Sequence, residues 1–118
     1  MIIVHGMIPI KPEQRDRVLE LARRMGTATR LEPGCISYDF YIGLADPNTL
    51  LLFQEWETMD ALSAHFQTDH MDHFMRELPE CLDGQITTRR FAVPSGEEEN
   101  DDGRDQIEVR VDDDPVIH

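Results

Sequence analysis

The sequence predicts an α+β fold, and three observations lead to it. Residues 2–10 are apolar and rich in β-branched side chains, which favours a strand. Residues 12–32 then change to apolar spacings of three and four, which indicate an amphipathic helix. From residue 35 the alternation has a period of two, which is typical of a hairpin. The 118 residues have the length of one domain, so these elements should share one core.

The first strand is predicted over Ile2–Ile10 and stops at Lys11-Pro12. Both of its alternating faces are largely apolar, so both should be covered. Pro12 suits the first turn of the helix that follows, and this helix should end before Pro33-Gly34. The apolar positions that define its buried face are Val18, Leu21, Ala22, Met25 and Ala28.

The hairpin is predicted from two alternating segments, Cys35–Ile42 and Thr49–Glu57. Asp46-Pro47-Asn48 provides turn residues between them. Thr58 can cap a short helix that runs through His65.

A second helical segment begins near Asp69 and continues to the break at Pro79, and Gln85–Val93 forms the last strand. The resulting order, β-α-β-β-α-β, is the ferredoxin-like arrangement, a four-stranded antiparallel sheet with helices on one face. The opposite face is too apolar to be left bare. We therefore expect a homodimer that packs sheet against sheet.

The acidic charge of the chain is concentrated after residue 93. The chain has 24 acidic and 11 basic residues, a net charge of −13. Residues 1–93 have 14 acidic and 9 basic side chains, net −5, whereas residues 94–118 have 10 and 2, net −8. We therefore divide the chain into a domain at 1–93 and an acidic tail at 94–118. Such a surface argues against nucleic acid or an anionic membrane as a partner.

One part of the tail, residues 107–111, alternates like a short strand. Two interpretations stay open: an accidental pattern in a solvated tail, or an arm that adds a strand to the partner subunit. The start of the chain has no basic leader with a long apolar run, and its two cysteines form no disulfide framework or zinc motif. We expect a soluble, cytoplasmic protein.

Three of the five histidines are candidates for proton transfer, because imidazole titrates near neutral pH. His70 begins a predicted helix, where it could act as a base or only cap the helix. His65 lies on the preceding helix, with a half-exposed surface position as the alternative. His5 is in the middle of the first strand, where it either packs in the core or lines a cavity.

The remaining candidates are aromatic walls and metal ligands. Trp56 ends its strand at a corner, where it could pack in the core or offer a flat wall to an aromatic ligand. Tyr38 is on the neighbouring strand. His70 and His73 are spaced i, i+3, but no His-Glu-x-x-His motif or 2-His-1-carboxylate set has a recognisable spacing. We therefore predict no metal site.

Several short motifs resemble the antibiotic biosynthesis monooxygenase (ABM) superfamily. The resemblance covers residues 1–93, is most specific over 32–84, and excludes the tail. The motifs that carry it are Lys11-Pro12, Glu32-Pro33-Gly34-Cys35, Asp46-Pro47-Asn48, Glu55-Trp56-Glu57, Ala64-His65 and Thr68-Asp69-His70. It implies a dimeric ferredoxin-like α+β barrel, in agreement with the dimer expected from the apolar sheet face.

The resemblance also implies an activity: an oxygenase that works without metal, flavin or other cofactor. A phenolic small molecule such as a quinol or anthrone would be deprotonated, and its anion would react with dioxygen. The corresponding residues would be His70 and His65 as proton handlers and Trp56 as a wall, with His5 and Tyr38 as further substrate contacts.

Other functions are alternatives to this oxygenase. Haem-degrading relatives use a first-strand asparagine and a haem-ligating histidine, where this chain has His5 and Met75, so haem degradation is disfavoured. An isomerase of a small phosphorylated sugar-like signal stays open. So does a non-catalytic dimeric ligand-binding module.

Overall fold

A computed structural model describes residues 1–94 and the backbone of residues 110–114. Strands and helices follow the predicted order and then add one strand. The strands are β1 (Ile2–Pro9), β2 (Cys35–Ile42), β3 (Thr49–Trp56), β4 (Thr87–Ala92) and β5 (Arg110–Asp114). The helices are α1 (Arg15–Thr29), α2 (Met59–His65) and α3 (Asp69–Glu77), with 3₁₀ turns at Pro12–Gln14 and Leu78–Cys81.

The strands form one antiparallel sheet in the order β2-β3-β1-β4-β5. Its first four strands have the predicted ferredoxin-like topology, so the predicted α+β fold is confirmed. β1 lies between β3 and β4, and its register sets Ile2 opposite both Trp56 and Ala92. The start of β1 therefore lies beside the ends of β3 and β4.

The helices cover one face of the sheet, and alternation along β1 shows which one. Val4, Gly6 and Ile8 are buried against the helices. His5 and Met7 point to the opposite face, where Met7 is 43% exposed. No helix of the described residues covers that face, which is the surface that the expected dimer would bury.

Several element ends differ from the prediction by one to three residues, whereas β2 has the predicted bounds. Ile10 makes only an isolated bridge to Leu82 because the chain leaves the sheet after Pro9. α3 ends at Glu77, and Pro79 lies inside the next 3₁₀ turn, since its ring nitrogen has no proton to continue an α-helix. β4 begins at Thr87, two residues later than predicted.

The fifth strand is an addition to the predicted topology. β5 pairs with β4 of the same chain, with Asp113 opposite Arg89 and Asp112 opposite Arg90 in the register. It overlaps the predicted arm 107–111 at residues 110 and 111, whereas residues 107–109 lie outside the described residues. Exchange of this arm between subunits stays a prediction.

Within the described ranges, no helix has the length and apolar character that a membrane span requires.

Candidate functional site

The candidate site is a carboxylate held between two imidazoles. Glu32 Oε2 lies 2.8 Å from His65 Nδ1 and 2.5 Å from His70 Nε2. A carboxylate accepts hydrogen bonds, so each ring nitrogen donates its proton to this one oxygen. We call these three residues the Glu32 cluster. It joins the loop after α1 to the end of α2 and the start of α3.

The loop after α1 holds Glu32 in place through its backbone. The Glu32 N–H donates to Thr29 O at 2.9 Å. Gly34 adopts φ +83°, and a Cβ there would lie 2.6 Å from Ala61 Cβ, so the turn and the close approach to α2 both require glycine. Gly34 O in turn accepts the Glu57 N–H at 2.8 Å. The loop is therefore fixed both to α2 and to the end of β3.

Thr68 sets the relative position of the two histidines. Its Oγ1 donates to His65 O at 2.8 Å and accepts the Met71 N–H at 3.3 Å, which caps α3. One side chain thus links the end of α2 to the start of α3. This turn brings His65 and His70, with ring centroids 6.0 Å apart, onto the same carboxylate.

The three side chains differ in access to solvent. The side chain of His65 is 1% exposed, that of Glu32 10% and that of His70 28%. Burial lowers the pKa of His65, although its hydrogen bond to Glu32 opposes this shift. His65 is therefore neutral with its proton on Nδ1. Its Nε2, which then bears the lone pair, is buried without a hydrogen-bond partner among the described residues.

Aromatic rings surround His65. Its centroid lies 5.0 Å from that of Trp56, 5.6 Å from Tyr38 and 5.8 Å from Phe66. Trp56 is fully buried and donates its Nε1–H to Gln54 Oε1 at 2.8 Å. Burial, and then the charge of Glu32, raise the pKa of Tyr38, so its hydroxyl stays protonated.

An apolar cavity of about 40 Å³ lies beside the cluster, between the inner face of the sheet, Phe66 and helix α3. None of the three cluster residues lines it. Tyr38 and Phe66, which contact His65, do line it, as do the flexible side chains Met71 and Met75. The cluster is therefore separated from the cavity by one layer of side chains.

A larger cleft of about 270 Å³ lies elsewhere, between α1 and β2. Its polar lining comes from Arg23, Arg30 and Asp39, and Arg30 also bonds to Tyr38 O at 2.6 Å. The described residues that line this cleft include no histidine, and its carboxylate, Asp39, is paired with Arg30 at 3.6 Å. We therefore place the candidate active site at the Glu32 cluster.

The structure brings together four of the five residues predicted from the sequence. His65, His70, Tyr38 and Trp56 lie around one point, although Trp56 is a buried packing partner of His65 and does not line the cavity. His5 lies on the outer face of the sheet, opposite Phe53 and Arg89 in the register. The sheet separates it from the cluster.

The sequence did not predict Glu32 as a site residue, and Glu32 was named only in a motif that carries the family resemblance. Glu32 is 33 residues from His65 and 38 from His70, so no local spacing links them. Together the three residues form the 2-His-1-carboxylate set that the spacing did not reveal. One ligand atom from each lies within 4.8 Å of the others, so the group could hold a metal ion.

Comparison with known proteins agrees with this description. The family model for "Antibiotic biosynthesis monooxygenase" matches residues 1–77. The protein sll1783 from Synechocystis, named as uncharacterized, is 37% identical over 81 residues, 69% of this chain. This chain spans 55% of the length of that relative.

Two solved structures add to this comparison. Rv0793 from Mycobacterium tuberculosis, named "Putative monooxygenase", is 34% identical over 83 residues, 70% of this chain and 76% of its own. Its structure has a TM-score of 0.75 at 26% identity and covers 80% of this chain and 95% of that one. A crystal structure titled antibiotic biosynthesis monooxygenase has a TM-score of 0.72 at 32% identity, covering 75% and 93%. The chain therefore belongs to the antibiotic biosynthesis monooxygenase family, which supports a monooxygenase-type function.

Proposed function

We propose that this protein is a cofactor-independent monooxygenase that acts on a quinol- or anthrone-like phenol. The observation that supports the proposal is the carboxylate of Glu32 hydrogen-bonded to His65 and His70 beside an apolar cavity. Dioxygen is the second substrate. The phenol supplies the electrons, so one oxygen atom enters the ring and the other leaves as water.

His70 is the base that this proposal needs. Its Nε2–H is donated to Glu32, so Nδ1 bears the lone pair, and its side chain is the most exposed of the cluster. It takes the phenolic proton from the substrate. The resulting imidazolium is stabilised by the Glu32 carboxylate, as in other carboxylate–histidine pairs. The phenolate is then electron-rich enough to react with dioxygen.

The cavity has to widen before a ring can enter, since about 40 Å³ is far below the ~300 Å³ of small-molecule sites. Phe66 is 43% exposed, and Met71 and Met75 have flexible side chains that can move at little cost. Displacement of these residues would open the cavity towards His65 and His70. Tyr38 then contacts the ring, and Trp56 supports His65 from behind.

An isomerase of a phosphorylated sugar receives less support from this cavity. Phosphate recognition usually involves arginine or lysine. The described residues that line the cavity include neither. Oxygen uptake distinguishes the oxygenase from a binding module without catalysis.

Oxygen uptake tests the proposal directly. The protein, treated with chelator, is incubated with quinols and anthrones in an oxygen electrode cell, and products are analysed by mass spectrometry with ¹⁸O₂. We expect enzyme-dependent uptake and one ¹⁸O atom in each product. Binding of these compounds without uptake would reject the oxygenase and favour the binding module.

Replacing Glu32 with glutamine should lower kcat for uptake by about 10–100-fold and change KM little, since the amide cannot stabilise an imidazolium. Glu32 lines no part of the cavity, so substrate affinity should be preserved. Steady-state kinetics with one quinol measures both constants. Glu55→Gln is the matched control, because Glu55 accepts a hydrogen bond from Ser37 Oγ at 2.8 Å on the outer face of the sheet, away from the cluster. A rise in KM with unchanged kcat would contradict the assigned role.

We also propose that the protein is a homodimer that buries the outer face of the sheet. This face includes His5, Phe53 and the exposed Met7 and Tyr41, which are 43% and 52% exposed. Light scattering should give a mass near twice the 13.6 kDa of one chain. Met7→Glu should shift the mass towards the monomer, because it places a charge in the buried patch. A monomeric wild type would reject the dimer.

A further inference from the structure

We propose that Glu32 Oε2, His65 Nδ1 and His70 Nε2 form a binding site for one divalent transition-metal ion of the zinc class. The three atoms come from three separate segments and all lie within 4.8 Å of one another. Two imidazoles and one carboxylate are a common donor set for zinc and for non-haem iron. The ion would replace the hydrogen bonds that hold the cluster together.

The donors are held in place before any ion binds. Glu32 is fixed by the loop bonds at Thr29 and Gly34, and Thr68 fixes the backbone between the two histidines. Glu32 and His65 are 10% and 1% exposed, so little water competes for them. The carboxylate offsets part of the ion's charge. Binding therefore requires little ordering of the chain.

Both hydrogen bonds of the cluster must lengthen before an ion can bind. In a tetrahedral zinc site with bonds of ~2.0–2.1 Å, neighbouring ligand atoms lie about 3.3 Å apart. In this structure Glu32 Oε2 lies 2.8 Å from His65 Nδ1 and 2.5 Å from His70 Nε2. His70 is in the first turn of α3 and 28% exposed, so it can make most of this movement. Its exposed side also gives the ion a route in and leaves a position for water.

The unpaired nitrogen of His65 permits the required change of tautomer. To bind the ion, His65 Nδ1 must release its proton, which moves to His65 Nε2. His70 Nε2 must likewise release its proton, which moves to His70 Nδ1. Because His65 Nε2 has no hydrogen-bond partner among the described residues, the transfer within His65 breaks no existing bond at that atom. The His65 ring can therefore donate to Glu32 or bind an ion through the same nitrogen.

The ion and the proposed oxygenase chemistry use the same atoms. An ion bound to Glu32 and His70 removes the hydrogen bond that would stabilise the His70 imidazolium. Zinc should therefore inhibit oxygen uptake. This consequence rests on the proposed function, whereas binding of the ion does not.

Cobalt(II) is the probe and is titrated into the chelator-treated protein. Excess Mg²⁺ is present throughout, so that it occupies the carboxylates of the acidic tail. We expect one equivalent to bind with visible d–d bands typical of four or five ligands, and zinc to abolish them. Glu32→Gln and His70→Ala should each weaken binding at least about 10-fold. His73→Ala, an exposed histidine on the next turn of α3, should leave binding unchanged.

Three results would overturn the site. The first is a spectrum like that of aqueous cobalt. The second is wild-type affinity for cobalt in both Glu32→Gln and His70→Ala, once circular dichroism shows that both variants are folded. The third is a thiolate charge-transfer band, which would indicate that Cys35 is a ligand. Oxygen uptake is measured on the same samples with and without zinc. Cobalt binding without any uptake would reject only the proposed function. Uptake that persists with saturating zinc would reject the inhibition.

Discussion

Replacing His70 with alanine should lower kcat for quinol-dependent oxygen uptake by about 10²–10⁴-fold, the range that a positioned general base contributes. His70 is the only imidazole of the Glu32 cluster with substantial exposure, at 28% of its side chain. A substrate that enters between α2 and α3 would meet it first. Stability should change little, because the side chain is not fully buried and α3 keeps its Thr68 cap.

Two controls make this result specific. His73→Ala removes an exposed imidazole from the same helix and should retain full activity. Added free imidazole should restore part of the activity of His70→Ala, since the vacated space opens to solvent. Unchanged activity in His70→Ala would assign the base elsewhere in the cluster and reject the role proposed for this residue.

Most of the fold could be predicted because each element has a clear local signal. The period-two alternation in Cys35–Ile42 and the threefold and fourfold spacing of α1 identify a strand and a helix without tertiary information. In β5 only residues 110 and 111 belong to the alternating segment 107–111, because Asp112–Asp114 are poor strand formers. In the register of β5 with β4, Asp113 is opposite Arg89 and Asp112 is opposite Arg90. This pairing joins residues that are more than twenty positions apart in the chain, so local patterns could not predict it.

The candidate site was only partly predictable. His65 and His70 are near each other in the chain, at the end of one helix and the start of the next, so their proximity follows from local structure. Glu32 joins them only through the path of the chain around α1 and the hairpin. His5 is predicted at the site because the middle of the first strand can line a cavity, and both alternating faces of β1 are largely apolar. The sequence therefore could not show which face meets the helices.

Trp56→Ala should lower the free energy of unfolding by about 3–5 kcal/mol. The ring is fully buried, packs against His65 at a centroid distance of 5.0 Å and is enclosed by β1 and β2. Its loss also leaves the buried Gln54 Oε1 without its donor, which costs a further 1–3 kcal/mol, roughly. Domains are stable by about 5–15 kcal/mol, so the variant should be marginal. Urea unfolding measures this change in free energy. It is followed by circular dichroism, because the variant lacks the one tryptophan of the chain and therefore its fluorescence.

Trp56→Phe separates packing from substrate contact. It keeps an aromatic ring but removes the N–H, so it should destabilise by about 1–3 kcal/mol and stay folded. If Trp56 only supports His65, the folded variant should keep KM and lose little kcat, because the Glu32 cluster is intact. A large rise in KM would instead show that the ring reaches the substrate once the cavity opens. A destabilisation below about 1 kcal/mol in Trp56→Ala would contradict the buried packing itself.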